Sequence, residues 1–400
     1  MDHVIVVGGG LAGLRAVERL RARGYEGTLT LVGAENRPPY DRPPLSKAVL
    51  TGETDDTTLP ADWEPLRCEL RLGTRAVALR PYDGRPGGVL ETSAGPLPFD
   101  GLVIATGATP VRLPGAGPQH VLRTLDDALR LRGGLHAGAH VVIVGAGWIG
   151  AEVASVAAGS GCRVTVLEAA GAPLAGALGP ELGALTAGWY ADAGVRLRCG
   201  VRVVSVDPGG LTLDDGEFLS ADVVLCGIGV RPDTGWLAGS GLAAADGVVV
   251  DGSLRTRRPE VVAAGDCASW WSRRYGRRLR AEHWDTALNA PDVAAAALLG
   301  QEERYDPVPY VWSEQFGRTV QYAGHHTAED RTVLRGSPGD PGWTVLWLRG
   351  GRLRALLTVD RPRDMVQGRR LIARETPLDA ALITDPGTPL NKALAREPVS

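Results

Sequence analysis

The chain has 400 residues, 44% hydrophobic and 22% charged, and its 43 basic and 46 acidic side chains leave a net charge of −3. That near balance excludes a non-specific nucleic-acid binder, which needs a strongly basic domain. No apolar run reaches the roughly 18 residues of a membrane-spanning helix. The five cysteines, at 68, 162, 199, 226 and 267, form no CxxC or CxxxxC pair. They read as reduced structural thiols of a cytoplasmic protein and leave no dithiol to relay electrons. The N-terminus runs straight into an apolar strand, without the basic region, apolar run and cleavage site of a secretion signal.

In chain order, His3–Val7 is a short buried-strand pattern, followed by Gly8-Gly9-Gly10-Leu11-Ala12-Gly13 and a helical stretch to about Arg23. Gly24 breaks the helix, and Thr28–Val32 reads as a second strand. Leu102–Ala108 is an apolar strand ending in small residues. The opening pattern then returns as strand Val141–Val144, Gly145-Ala146-Gly147-Trp148-Ile149-Gly150, a helix to about Ala158, a break at Gly161 and strand Arg163–Leu167. Asp222–Gly229 and Val261–Asp266 are further apolar strands ending in small residues, which let backbone pass close to a cofactor. Asp266 is expected at a helix N-terminus, where a carboxylate cap is favourable.

Each copy is therefore strand, Gly-x-Gly-x-x-Gly, helix, strand, acid. The first glycine allows the tight turn, the second lets backbone approach a pyrophosphate, and the third packs helix on strand. The helix N-terminus offers N–H groups and a positive dipole end to the anion. An acid about 20 residues on takes the ribose hydroxyls; Glu35 and Glu168 are the candidates. Two cradles point to two dinucleotides, most economically a bound FAD and an exchangeable nicotinamide. Glu168 repels a 2′-phosphate and is followed by Ala169-Ala170-Gly171-Ala172 with no arginine to receive one, so NADH is expected over NADPH.

The motifs Gly8–Gly13, Pro39–Lys47 (PYDRPPLSK), Ile104–Ala108, Gly145–Glu152, Gly227–Pro232, Ala264-Gly265-Asp266 and Val311–Gln315 (VWSEQ) occur in that order. Together the chain resembles the FAD-dependent NADH:ferredoxin reductases that serve bacterial cytochromes P450 and ring-hydroxylating oxygenases, a putidaredoxin-reductase-like family. The resemblance covers nearly the whole chain. It implies an α/β fold with two Rossmann-like dinucleotide-binding domains, for FAD and NAD, plus a C-terminal α+β domain. The implied boundaries are 1–110 and 240–307 for a split FAD domain, 111–239 for the NAD domain and 308–400 for the C-terminal domain.

The resemblance also places residues. Gly8, Gly10, Ala12 and Gly13 are expected at the FAD pyrophosphate, with Glu35 as the ribose acid. Lys47 is expected at the isoalloxazine edge, where a cation favours anionic reduced flavin, and Arg42, Ala76, Arg123, Asp266, Trp284 and Trp312 are further candidate contacts. Gly145, Gly147 and Gly150 match the NADH pyrophosphate turn, Glu168 the ribose acid, Glu152 an acid aimed toward the nicotinamide, and Gly227-Ile228-Gly229 the loop beneath it. Ala175 and Gly176 stand where relatives often carry an arginine. Hydride transfer needs position and electrostatics rather than a protein acid or base, so Lys47 and Glu152 are positioning residues. The implied partner is an acidic iron–sulfur ferredoxin, bound transiently. The run Arg273–Arg280, beside Trp270 and Trp271, is a candidate basic docking face.

Disulfide reductases are disfavoured by the missing cysteine pair, and thiol-based NADH peroxidases by Ser46-Lys47 in place of a cysteine. Membrane quinone reductases lack support in the proline-interrupted C-terminus. A rubredoxin reductase, a nitrite-reductase accessory subunit and an NADH-binding redox sensor resembling apoptosis-inducing factor remain as alternatives.

Overall fold

His3–Val7 is buried at four of its five positions because it lies in the middle of a parallel sheet. A strand covered on both faces needs no polar alternation. The computed structural model describes residues 1–395, and the chain divides into two compact units.

The first unit comprises Met1–Pro43, Asp56–Thr109 and Val230–Asp306. Its parallel sheet has the strand order Val261–Ala263, Gly101–Ile104, His3–Val7, Thr28–Val32, Cys68–Arg71. All the strands run parallel, and the order in which they are added reverses beside His3–Val7, which opens a crevice at their carboxyl ends. Helices Leu11–Ala22 and Trp284–Leu298 pack against each other, and the second also covers the sheet. A three-stranded antiparallel sheet (Ala76–Pro81, Gly88–Thr92, Gly95–Phe99) and a four-stranded one ending in the hairpin Ala268–Ser272 and Arg277–Leu279 complete the unit.

Asp266 does not start a helix. Gly265 adopts a left-handed φ of +77° and the Ala268 N–H donates to the Gly265 carbonyl, so the chain turns tightly and re-enters a strand at Ala268. The sequence shows the apolar strand and the acid but not the turn, which the glycine's positive φ decides.

The second unit comprises Pro44–Asp55, Pro110–Gly229 and the chain from Pro307. Its parallel sheet, Arg196–Cys199, Arg163–Glu168, His140–Val144, Val223–Cys226, repeats the topology of the first on four strands. From Tyr310 the chain forms a five-stranded antiparallel sheet, Tyr310–Gln315, Arg318–Gly324, Arg352–Val359, Trp343–Arg349, Arg331–Arg335, with helix Pro362–Arg374 packed on it. One core joins the helical segment that follows Glu168 to this sheet: Leu174, Leu178 and Trp189 pack with Val320, Trp343, Trp347 and Leu357. Among the described residues no helix is long and apolar enough to cross a membrane, and all five cysteines are free thiols.

Candidate functional site

In the first unit, Gly8 has φ +129°, and a Cβ there would meet the Ala105 carbonyl oxygen at 2.1 Å. A Cβ on Gly13 would meet the Gly8 oxygen at 1.8 Å, so helix and strand touch through bare backbone. At Gly10 nothing lies within 4 Å. Gly10 caps helix Leu11–Ala22 without a side-chain bond, and no acid occupies the first turn. The open glycine and uncapped amides fit the pyrophosphate of a dinucleotide. Gly265 lies 3.1 Å from the Ala12 Cβ at its own Cβ position, so the turn carrying buried Asp266 folds onto this helix start. Burial holds the neighbouring His283 imidazole below its usual range, against the pull of Asp266.

Glu35 follows strand Thr28–Val32 and accepts from the Tyr40 hydroxyl (2.7 Å) and the Arg42 guanidinium (2.9 Å). Arg42 also lies 5.1 Å over the Tyr40 ring. Tyr40 and Arg42 of the PYDR run thus gather on the candidate ribose acid. The Trp284 indole N–H donates to Asp41 at 2.7 Å; burial pushes the Asp41 carboxyl up despite that bond. Ala76 opens strand Ala76–Pro81, half-buried.

The second unit repeats the construction. Gly145 has φ +102° and a Cβ there would meet the Gly227 oxygen at 2.4 Å, a Cβ on Gly150 would meet the Gly145 oxygen at 1.9 Å, and Gly147 has nothing within 4 Å. Gly147 caps helix Trp148–Gly159, again with no side-chain bond and no acid in the first turn. Glu168, ending its strand, accepts from the N–H groups of Ala146 (2.7 Å) and Ala170 (2.8 Å), so the acid is tied to the glycine loop itself. Gly229, with φ +101°, closes the loop whose Ile228 is exposed, as is Ile149 beside Gly147.

Glu152, 3% exposed, is the convergence point of this unit. Its Oε2 accepts from the Lys47 ammonium at 2.8 Å and from the Ser46 hydroxyl; its Oε1 accepts from the Ser313 hydroxyl at 2.7 Å and the Glu314 N–H at 3.2 Å. Two segments distant in sequence from Glu152 and from each other meet on its carboxylate. A buried carboxylate persists as an ion only when so supplied. Ser46 and Ser313 lie in the SK and WSEQ runs, yet nothing in the sequence marks them as partners of Glu152, because no spacing rule links positions more than 100 residues apart.

Trp312 is half-buried and stacks on Tyr310 with ring centroids 6.0 Å apart and 22° between planes. Arg369 lies 4.4 Å over the same Tyr310 ring. Arg123 precedes helix Leu125–Arg132, its N–H donating to the Asp127 carboxylate at 3.2 Å beside a Thr124–Asp127 capping box. Of the proposed docking hairpin in the first unit, Trp270 is 1% exposed and forms core, whereas Trp271 is 47% exposed. Alternation along a strand turns one of two adjacent tryptophans inward. Arg278 is spent on the Val250 and Ser269 carbonyls and Arg280 on Asp246 and Glu282.

The family model described as pyridine nucleotide-disulphide oxidoreductase matches residues 2–290, and that described as reductase C-terminal matches 310–394. The chain is 34% identical to putidaredoxin reductase of Pseudomonas putida, over 98% of this chain and 97% of that protein. It is 37% identical to the ferredoxin–NAD(+) reductase component of the anthranilate 1,2-dioxygenase system of Burkholderia cepacia, over 96% and 97%. Among solved structures it is similar to Fdr9 (TM-score 0.92, 48% identity, 98% and 99% of the two chains). It is equally similar to the covalent putidaredoxin reductase–putidaredoxin complex (TM-score 0.92, 33% identity, 98% of each chain).

Proposed function

The chain belongs to the pyridine nucleotide-disulphide oxidoreductase family, and from that premise we propose that it is an FAD-dependent ferredoxin–NAD+ reductase supplying a P450 or ring-hydroxylating oxygenase. The observation that carries the reading is the pair of open glycine cradles in one chain that has no paired thiols among the described residues. Electrons from NADH then leave by a separate protein carrier rather than a dithiol.

Bound FAD would supply the hydride acceptor for NADH and the one-electron release to a carrier. The chain's part is to bind and orient. Gly8, Gly10, Ala12 and Gly13 would hold the first pyrophosphate, with Glu35 and Arg42 at the ribose end and Asp266, Ala76, Arg123, Trp284 and Trp312 as further contacts. Gly145, Gly147 and Gly150 hold the NADH pyrophosphate, Glu168 its ribose, and Gly229 shapes the loop beneath the nicotinamide. Lys47 supplies positive charge, and Glu152 fixes it in place. The domain limits carried by this reading are 1–110 with 240–307, 111–239, and 308–400. The free cysteines favour a cytoplasmic setting.

The test is anaerobic. Purified protein should carry FAD, bleach with NADH, and reduce an acidic ferredoxin; a protein that cannot be loaded with FAD contradicts the reading.

A further inference from the structure

Strand Tyr310–Gln315 brings two polar side chains to the same buried face, Ser313 at 0% exposure and Gln315 at 1%. Residues two apart share a face of a strand. Ser313 has one proton to give. The Glu152 carboxylate, paired with Lys47, accepts, so the Ser313 proton goes to its Oε1. Gln315 must then present its amide N–H to the Ser313 oxygen, and Nε2 lies 3.0 Å from it. That orientation leaves Gln315 Oε1 buried and without a partner among the described residues. A buried acceptor left unmade is a standing cost. It accompanies a chain of hydrogen bonds that runs one way: Gln315 to Ser313 to Glu152.

We propose that Ser313, oriented by Gln315, is a positioning residue that holds the Glu152 carboxylate aimed at Lys47. The first strand of the C-terminal sheet thereby fixes the geometry of the cation site. The inference rests on the reading of Lys47 and Glu152 as positioning residues for NADH oxidation.

Few charges compete for Glu152. Of the elements packed on helix Trp148–Gly159, helix Ala48–Thr51 carries no charged side chain. Strand Tyr310–Gln315 adds Glu314, whose side chain is exposed. Strand His140–Val144 adds His140, bonded to Thr165, and strand Arg163–Glu168 adds exposed Arg163 and Glu168, the latter bonded to loop amides. Lys47 is the one charged partner of the Glu152 carboxylate among the described residues.

The composition makes the test direct, because Lys47 and Lys392 are the only lysines. Holoenzyme labelled with ε-13C-lysine gives two side-chain signals, assigned by Lys392→Arg. The Lys47 signal reports its contact with the Glu152 carboxylate. Ser313→Ala removes the donor that orients Glu152 Oε1, so the Lys47 signal should shift toward that of exposed Lys392. Ser313→Thr keeps the hydroxyl and should restore it. If Ser313→Ala does not fold, Gln315→Leu removes the donor behind Ser313 and should shift the Lys47 signal the same way. A merely structural serine would lower the melting temperature and leave the Lys47 signal where it was, and that result overturns the proposal. The readout needs no ferredoxin: a moved signal without ferredoxin reduction defeats only the functional reading, and an unmoved signal with full turnover defeats only this inference.

Discussion

The Lys47 ammonium lies 2.8 Å from a Glu152 carboxylate that is almost wholly enclosed, while the Lys47 side chain itself is 20% exposed. A buried ion pair is weak evidence of stabilisation, but removing one partner strands the other. Lys47→Met should therefore destabilise by about 2–3 kcal/mol, short of the ~3–5 kcal/mol of a fully enclosed pair. It should also slow flavin bleaching by NADH about tenfold, some 1.4 kcal/mol of barrier. Denaturant melts and anaerobic stopped-flow measure both. Unchanged bleaching would remove Lys47 from the chemistry.

The cradle glycines separate folding from binding. Gly10→Ala adds a methyl to open space and should leave the melting temperature unchanged while raising the FAD dissociation constant about tenfold, about 1.4 kcal/mol. Gly13→Ala drives a methyl into the Gly8 carbonyl and should cost about 3 kcal/mol of stability as an overpacked contact. Flavin titration and thermal melts of the two variants distinguish the roles. Equal flavin affinity in Gly10→Ala and wild type would mean that the first cradle holds no pyrophosphate.

Glu168 ties down the second loop through two amides and leaves no cation for a 2′-phosphate. The wild type should favour NADH in kcat/KM, and Glu168→Ala should narrow the preference by about tenfold, mostly through loss with NADH. A wild-type preference for NADPH would contradict the assignment.

Much of this was legible in the residues. The apolar strands with glycine loops gave both sheets and helix starts, since strand burial and backbone proximity act locally. Asp266 departs from the helix-cap expectation because a left-handed glycine turn, not a helix, follows its strand. The roles of Ser46 and Ser313 were invisible because tertiary packing brings them to Glu152. Trp270 and Trp271 differ only by strand alternation, which the unbroken polar–apolar mixture around them does not reveal.

The thiols should be silent. Burial pushes Cys68 and Cys267 up to about 11, and Cys162, Cys199 and Cys226 upward as well. All are neutral near pH 7, so native alkylation should be slow and should leave activity intact. A thiol raised above its unfolded value of 9.0 keeps its proton longer in the fold. The native state then binds more protons, and stability should fall as pH rises from about 9 toward 11. Rapid inactivation by iodoacetamide at pH 7.5 would point to a reactive thiolate.

The most direct measurement mixes FAD-loaded protein with NADH and an acidic iron–sulfur ferredoxin and follows cytochrome c reduction. The expected result is rapid reduction that requires ferredoxin, saturates with it, and weakens with rising salt. NADH consumption indifferent to ferredoxin, or a persistent long-wavelength band with no reduction of cytochrome c, would contradict a reductase that hands its electrons to a carrier protein.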